Sequence, residues 1–276
     1  MNTLKKLKVT ALFGTMVALF AWGCDISPDA GTGTGTMQVK MHDNPAHYDE
    51  VNVSVERVEV NRSEGDQGWQ TISEPNEVYN ILELVNGEFA VLADAELETG
   101  TYQQIRLILD DNNSIVIDGE SFPLTVPSGA QTGLKLNINA EIEEGVIYTL
   151  LLDFDADRSV VKRGMQDHYN LRPVIRATAE AESGNIGGSV NAESTVRAIL
   201  DAGTAEADTV STTFSDSETG EFLLVGLEEN SYTVNFEPAD EEAYEGTEID
   251  DVEVILGETT DLGEIELTEI DDEQDE

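Results

Sequence analysis

The sequence predicts an all-β protein with two tandem antiparallel β-sandwich domains, and three observations carry that reading. First, LETGTY at residues 97–102 returns as LEENSY at residues 227–232, each copy opening a β-rich run. In both, a Gly or Asn turns the chain, since these residues tolerate positive φ, and a Tyr enters the strand. Second, apolar residues alternate with period two at Leu134, Leu136, Ile138, Ala140 and Ile142, and again at Tyr148, Leu150, Leu152 and Phe154. Third, 276 residues suffice for two domains that each bury a core.

The N-terminus carries a targeting signal. Lys5, Lys6 and Lys8 precede an uncharged, mostly apolar run over residues 9–22. That run is shorter than the ~20 residues an α-helix needs to span the hydrocarbon core, so residues 1–23 read as a secretory leader and not as a membrane anchor. The run ends in Phe20-Ala21-Trp22-Gly23-Cys24, which resembles the lipobox of bacterial lipoproteins. The resemblance implies lipid attachment at Cys24 and partnership with a membrane through the acyl chains. The alternative is cleavage by ordinary signal peptidase at Ala21-Trp22-Gly23, which leaves a soluble secreted chain with a free thiol. Asp25 resembles the inner-membrane retention signal of enteric bacteria. Residues 24–36, rich in alternating Gly and Thr, form a flexible linker.

The first domain is expected over residues 37–182. Val51, Val53 and Val55 share one face, and the apolar set returns at Val58 and Val60 one residue out of phase, which predicts a β-bulge near Glu56-Arg57. Val78, Ile81, Leu82 and Val85 fit a short helical turn, and Asn86-Gly87 then reverses the chain. The polar stretch 110–113 is expected to join strands 107–109 and 115–117 as a hairpin. Taken in order, DNPAHYDEVNVSVERVEV, YNILELVNG, ETGTYQQIRLIL, VPSG, LKLNINAEIEEG, LLLDFDADRSVV and YNLRPVIRA resemble the lipoprotein domain of unknown function 4382, over roughly residues 35–182. That resemblance implies an extracytoplasmic β-rich module and brings no biochemical activity with it.

Ser183, Gly184, Gly187 and Gly188 mark an expected hinge at 183–188, and a second sandwich is expected over 189–268. Its series G-x-V, D-x-x-T-G-x-F-x-L-x-x-L, S-Y-T-V and G-E-T-T-D-L-G-x-I-x-L resembles the carboxypeptidase regulatory-like and collagen-adhesin B-type domains. Those are seven-stranded transthyretin-like sandwiches, often grouped with a carbohydrate-binding-like fold. The adhesins' internal Lys cross-link has no counterpart, because residues 184–276 contain no Lys. Residues 269–276 read as an acidic disordered tail.

A formal charge of −43 excludes nucleic acid as a partner, since no clustered basic face answers the phosphates. Cys24 is the only cysteine, so disulfides cannot form and both domains must rest on packed apolar faces. Neither a G-x-S-x-G elbow nor a zinc-ligand series occurs, and no catalytic residues are assigned. His42 and His47 flank the turn Asp43-Asn44-Pro45 and are expected in solvent. Two oxygen-rich clusters, Asp110, Asp111 and Asn113 in one turn and Asp153, Asp155 and Asp157 at a strand end, are candidate ligands for a structural Ca²⁺, because that ion takes six to eight oxygens. Tyr102 and Tyr232 read as tyrosine corners, and Trp69 as an exposed aromatic. These features predict a non-catalytic, lipid-anchored envelope module that binds or spaces. The alternatives are a carbohydrate- or calcium-dependent adhesin with a polysaccharide or protein partner, and an accessory subunit of an envelope enzyme.

Overall fold

A computed structural model describes residues 33–44, 46–63, 67–127, 133–164, 168–204 and 207–270. The leader, Cys24, most of the linker and residues 271–276 lie outside the described residues. The first sandwich contains β1 (Thr34–Asn44), β2 (Glu50–Asn61), β3 (Gln70–Ser73), β4 (Glu77–Asn80), β5 (Ala90–Glu98), β6 (Gly100–Leu109) and β7 (Ser114–Ile117). It continues with β8 (Glu120–Thr125), β9 (Leu134–Ile142), β10 (Ile147–Asp155), β11 (Val160–Lys162), β12 (Tyr169–Leu171) and β13 (Ile175–Ala179). One sheet runs β13-β10-β1-β5, and the facing sheet runs β11-β12-β8-β7-β2-β6-β9 with β3 and β4 on the other edge of β2. The alternation read from the sequence becomes the core: Met37, Val39 and Met41 of β1 and Leu150, Leu152 and Phe154 of β10 pack against the valines of β2 and Ile105 and Leu107 of β6.

The second sandwich contains β14 (Gly184–Val190), β15 (Ser194–Leu200), β16 (Asp208–Phe214), β17 (Glu221–Leu227), β18 (Ser231–Pro238), β19 (Tyr244–Glu245), β20 (Thr247–Glu253), β21 (Thr259–Ile265) and β22 (Thr268–Glu269). Sheets β17-β14-β21 and β16-β15-β18-β20 enclose a separate core that includes Ile186, Val196, Leu224, Val234 and Phe236. β19 and β22 form a small accessory pair.

Several expectations hold. β2 is one continuous strand whose register against β6 slips between Val55 and Arg57, which lets both valine sets face the core. Asn86 and Gly87 take φ of 54° and 82° in the turn. A 3-10 turn, Ile81–Glu83, follows β4, so only part of the expected helical stretch is helical. The repeated Leu-x-x-x-x-Tyr motif closes the same way twice: Tyr102 Oη donates to the carbonyl of Glu98 at 3.2 Å, and Tyr232 Oη to that of Glu228 at 3.0 Å.

Others are corrected. Three of the sandwich sheets are mixed, because β1 pairs parallel with β10, β8 with β12 and β14 with β21, while β16-β15-β18-β20 is wholly antiparallel. Long connections leave strand direction free, whereas tight hairpins force it antiparallel. Strands β6 and β7 make no hairpin. Both pair with β2, β6 from Val55 onward and β7 from Glu50 to Asn52, on the edge opposite β4. The expected hinge is the start of β14, where a Cβ on Gly184 would collide with the carbonyl of Ile255. Gly184 therefore serves close backbone approach and not flexibility. β1 begins at Thr34, inside the expected linker, and β22 takes in Glu269 of the expected tail.

Replacing Tyr232 with Phe is expected to cost about 1 kcal/mol in urea unfolding. Tyr102→Phe should cost more, because Tyr102 Oη also accepts from the Arg62 guanidinium at 3.2 Å.

Candidate functional site

The alternation that sends Met41 and Leu152 inward sends His42, Leu151 and Asp153 to the outer face of the first sandwich. There the second sandwich covers them: His42 is 3% and Asp153 6% exposed. Leu151 and Val225 are both buried, yet neither belongs to either core. They contribute apolar contact to the junction, much of which is polar.

Strands β16 and β17 end their respective sheets and present unpaired backbone to the first sandwich. Two asparagines answer them. Asn86 Oδ1 accepts from the Leu223 N–H at 3.0 Å and the Thr213 hydroxyl at 2.9 Å, while its amide reaches the Glu221 carbonyl at 3.5 Å. Asn44 Oδ1 accepts from the Thr212 N–H at 2.6 Å, and its amide donates to Asp153 at 3.1 Å. Each side chain stands in for a neighbouring strand. Gly87, just after Asn86, would place a Cβ 3.0 Å from Leu223, so its φ and its closeness both call for glycine.

Beneath Gly226 lies an ionic row in strand register, Arg176 to Asp153 to His42. Arg176 donates to Asp153 at 3.0 Å, and His42 Nδ1 stands 3.8 Å from the other carboxylate oxygen, too far for a hydrogen bond. His42 Nε2, Asp153 Oδ1 and Arg176 Nε are buried without hydrogen-bond partners. Burial, reinforced by the Arg176 charge, lowers the His42 pKa to about 4, so the imidazole is neutral. Burial raises that of Asp153 to about 6 despite the opposing pull of Arg176 and Asn44. Asp43, on the inward face, accepts from the Ala156 N–H at 3.1 Å, and burial raises its pKa well above the ordinary value. His42 thus departs from the solvent position expected for it, because β1 extends through Asn44 and a second domain covers it. His47 is exposed, against the Phe214 ring at 5.7 Å.

The six candidate calcium ligands do separate jobs. Asn113 is buried and accepts from the Ser54 N–H at 2.8 Å, filling the jog where β2 exchanges β6 for β7, while Asp110 and Asp111 are exposed. Asp153 belongs to the ionic row. Asp155 accepts from the Arg158 N–H at 2.8 Å and caps the helical turn Ala156–Ser159. Asp155 and Asp157 line a groove of about 360 Å³ between the sandwiches together with Asp208 and His47, where Arg158 and Arg197 balance the carboxylates. Among the described residues, no group of three or more His, Cys, Asp or Glu is placed to hold a metal ion. Tyr102 and Tyr232 lie where they were expected, while Trp69 is half-buried, with the Arg106 guanidinium over its ring at 4.3 Å. Sequence reasoning missed Asn44 and Asn86 as junction residues. The Asn86-Gly87 turn was the visible signal, but its partner in β17 lies 137 residues away.

Fold and junction together define a tandem β-sandwich protein. The chain belongs to the family described as a domain of unknown function (DUF4382), whose profile matches residues 34–173. No curated protein matches it. Among solved structures it is similar to the Bacillus anthracis TIE protein, at 11% identity over 86% of this chain and 34% of that one, with a TM-score of 0.23. It is also similar to GBS52, the minor pilin of Streptococcus agalactiae, at 9% identity over 87% of this chain and 99% of that one, TM-score 0.24. The shaft pilin SpaA of Lactobacillus rhamnosus GG shows 8% identity over 86% and 98% of the two chains, TM-score 0.23. The chain spans about a third of the TIE protein's length.

Asn86→Gly retains the positive φ and removes only the side chain, so it should lower unfolding stability by about 1–3 kcal/mol through the orphaned Leu223 N–H. The ionic row makes a pH prediction. Between pH 4 and 6, folded Asp153 holds a proton that the unfolded chain has released, so this group makes stability fall as pH rises. Folded His42 lacks a proton that the unfolded chain holds up to about 6.5, so it makes stability rise across the same window. The two slopes oppose. Asp153→Asn is expected to leave a stability that climbs with pH over this window, and His42→Gln one that falls, each by on the order of 3 kcal/mol. Urea titrations at fixed ionic strength check both.

Proposed function

We propose that the protein is a non-catalytic module of the cell envelope, carried outside the cytoplasm on a lipidated Cys24, that holds its two sandwiches as one rigid unit. The observation that carries this reading is the use of polar groups at the junction. Asn44 and Asn86 are committed to the strand edges of the second sandwich, and Asp153 and Arg176, the other groups best placed for chemistry, to one another beneath it. Glu59 is likewise spent on Arg57 and Arg106. The lipobox-like segment and the DUF4382 membership support the extracytoplasmic setting. The three-plus-four strand pairing of the second sandwich supports its kinship with carboxypeptidase regulatory-like and collagen-adhesin B-type domains.

Detergent-phase partitioning of the expressed protein tests the anchor. Wild type is expected in the detergent phase and Cys24→Ala in the aqueous phase. Because both signal-peptide routes leave Cys24 first, intact mass of the mature N-terminal peptide decides between them. An unacylated Cys24 would overturn the lipid anchor.

A further inference from the structure

A chain with 57 Asp and Glu against 14 Lys and Arg covers most of its surface with charge, so adjacent apolar side chains left in water call for a reason. Among the described residues seven large apolar side chains are exposed, and four of them form two consecutive pairs: Val146 and Ile147, at 47% and 66% exposure, and Ile255 and Leu256, at 49% and 41%. Val78, Val91 and Ile270 are single, in β4, in β5 and just past β22. Isolated apolar residues on a surface are ordinary, whereas apolar residues gathered in one place mark a surface that meets a partner or a membrane. Each pair stands at a turn beside a glycine of positive φ, Gly145 and Gly257, both at 72°. A Cβ on either glycine would meet no atom within 4 Å, so both turn tips face open space.

The two turns lie at one end of the first sandwich, where the chain enters it. The Gly145 N–H donates to the Thr34 carbonyl and the Thr36 N–H to that of Val146, each at 2.9 Å, so the first turn is bonded to the opening residues of β1. The second turn is bonded to the connection between the sandwiches, through the Gly257 N–H and the Ser183 carbonyl at 2.8 Å. That connection follows Ala179, which pairs with Leu150, three residues beyond Ile147 in β10. Tyr148, Glu182 and Leu256 line one groove of about 770 Å³, which brings the second turn beside the start of β10. Carboxylates flank both tips: Glu143 and Glu144 precede Gly145, Glu258 follows Gly257, and Glu228 and Glu229 border the groove.

We infer that this entry end seats on a zwitterionic lipid bilayer, with the Val146-Ile147 and Ile255-Leu256 tips entering the headgroup layer. The inference rests on the lipid attachment at Cys24 proposed above. Ten chain links separate Cys24 from Thr34, a reach of at most about 35 Å, so the entry end is the part of the body that the tether holds nearest the bilayer. A tether raises the effective concentration of the tips at the surface, so a contact too weak to act alone becomes occupied, and apolar contact added to an acyl anchor strengthens the attachment. The carboxylates select the lipid. Choline and ethanolamine headgroups end in a cation that carboxylates attract, whereas an anionic headgroup repels them. The same charges keep insertion shallow, because a carboxylate is costly to carry past the headgroups. A second copy of the chain is a poorer occupant, since it would bring like charges into opposition.

Site-specific fluorescence of the full-length acylated protein in phosphatidylcholine vesicles tests it. Acylation occupies the sulfur of Cys24, the only cysteine, so one introduced cysteine is a unique labelling site. Ile147→Cys and Leu256→Cys, each carrying a nitrobenzoxadiazole probe, are expected to shift to the blue and to be quenched by doxyl-labelled lipid. Val91→Cys should do neither, because Val91 is comparably exposed but pairs with Lys40, about 20 Å along β1 from the entry. Absence of quenching at residues 147 and 256, in a chain whose intact mass shows the acyl groups, would overturn the docking and leave the anchor standing. An unacylated Cys24 would show in the same mass and overturn both. Equal quenching at residue 91 would mean that no face is preferred and would overturn the docking, as would a blue shift that doxyl lipid does not quench, which would make a second copy the occupant. Phosphatidylglycerol in place of phosphatidylcholine at low salt should weaken the quenching, and stronger quenching there would overturn the zwitterionic assignment.

Discussion

Two unpaired strand edges meet one asparagine each, and the arrangement of the whole chain depends on that meeting. Strands β16 and β17 end their sheets where the second sandwich is open, and exposed edges either pair, become covered or attract other chains. Asn86 and Asn44 cover them. Each such hydrogen bond contributes only about 1 kcal/mol net, comparable with or below the ~1.5–3 kcal/mol from burying Leu151 or Val225. The apolar pair supplies much of the affinity between the sandwiches. The asparagines supply register, because a shift of one residue would leave a buried N–H with no acceptor.

The ionic row beside them acts in the same way. Taking Asp153 and Arg176 out of water costs more than an apolar pair of equal volume would, and the raised Asp153 pKa is the measure of that cost. Their mutual hydrogen bond and the Asn44 amide offset part of it. His42 avoids the cost by being neutral. Such a row penalises misdocked arrangements more than it stabilises the docked one, so it favours a single relative placement of the sandwiches.

What was legible in the sequence was local. The tyrosine corners reach four residues back, the bulge is written in the phase of five valines, and the Asn86-Gly87 turn is written in two residues. What was not legible depends on distant partners. Parallel pairing of β1 with β10 joins strands separated by about a hundred residues, and nothing in either strand announces direction. Glycines that permit flexing and glycines that permit close approach look alike, which is why residues 183–188 read as a hinge and fold as a strand. Asp155 and Asp157 read as one cluster because strand spacing hides the helical turn that divides their roles.

The lack of a second cysteine gives the junction its importance. Neither sandwich can be stapled by a disulfide, so each relies on its own apolar core, and the only covalent connection between them is the short stretch from Ala179 to Gly184. A connection that short between two independent cores would ordinarily act as a swivel. Here β13 belongs to the first sandwich and β14 to the centre of a sheet in the second, with the 3-10 turn Glu180–Glu182 between them. Both ends of the connection are anchored in hydrogen-bonded strands, and the capped edges hold the bodies on a second side. Two separated constraints fix an orientation that neither could fix alone. The second sandwich is thereby held against the outer face of β1, over His42.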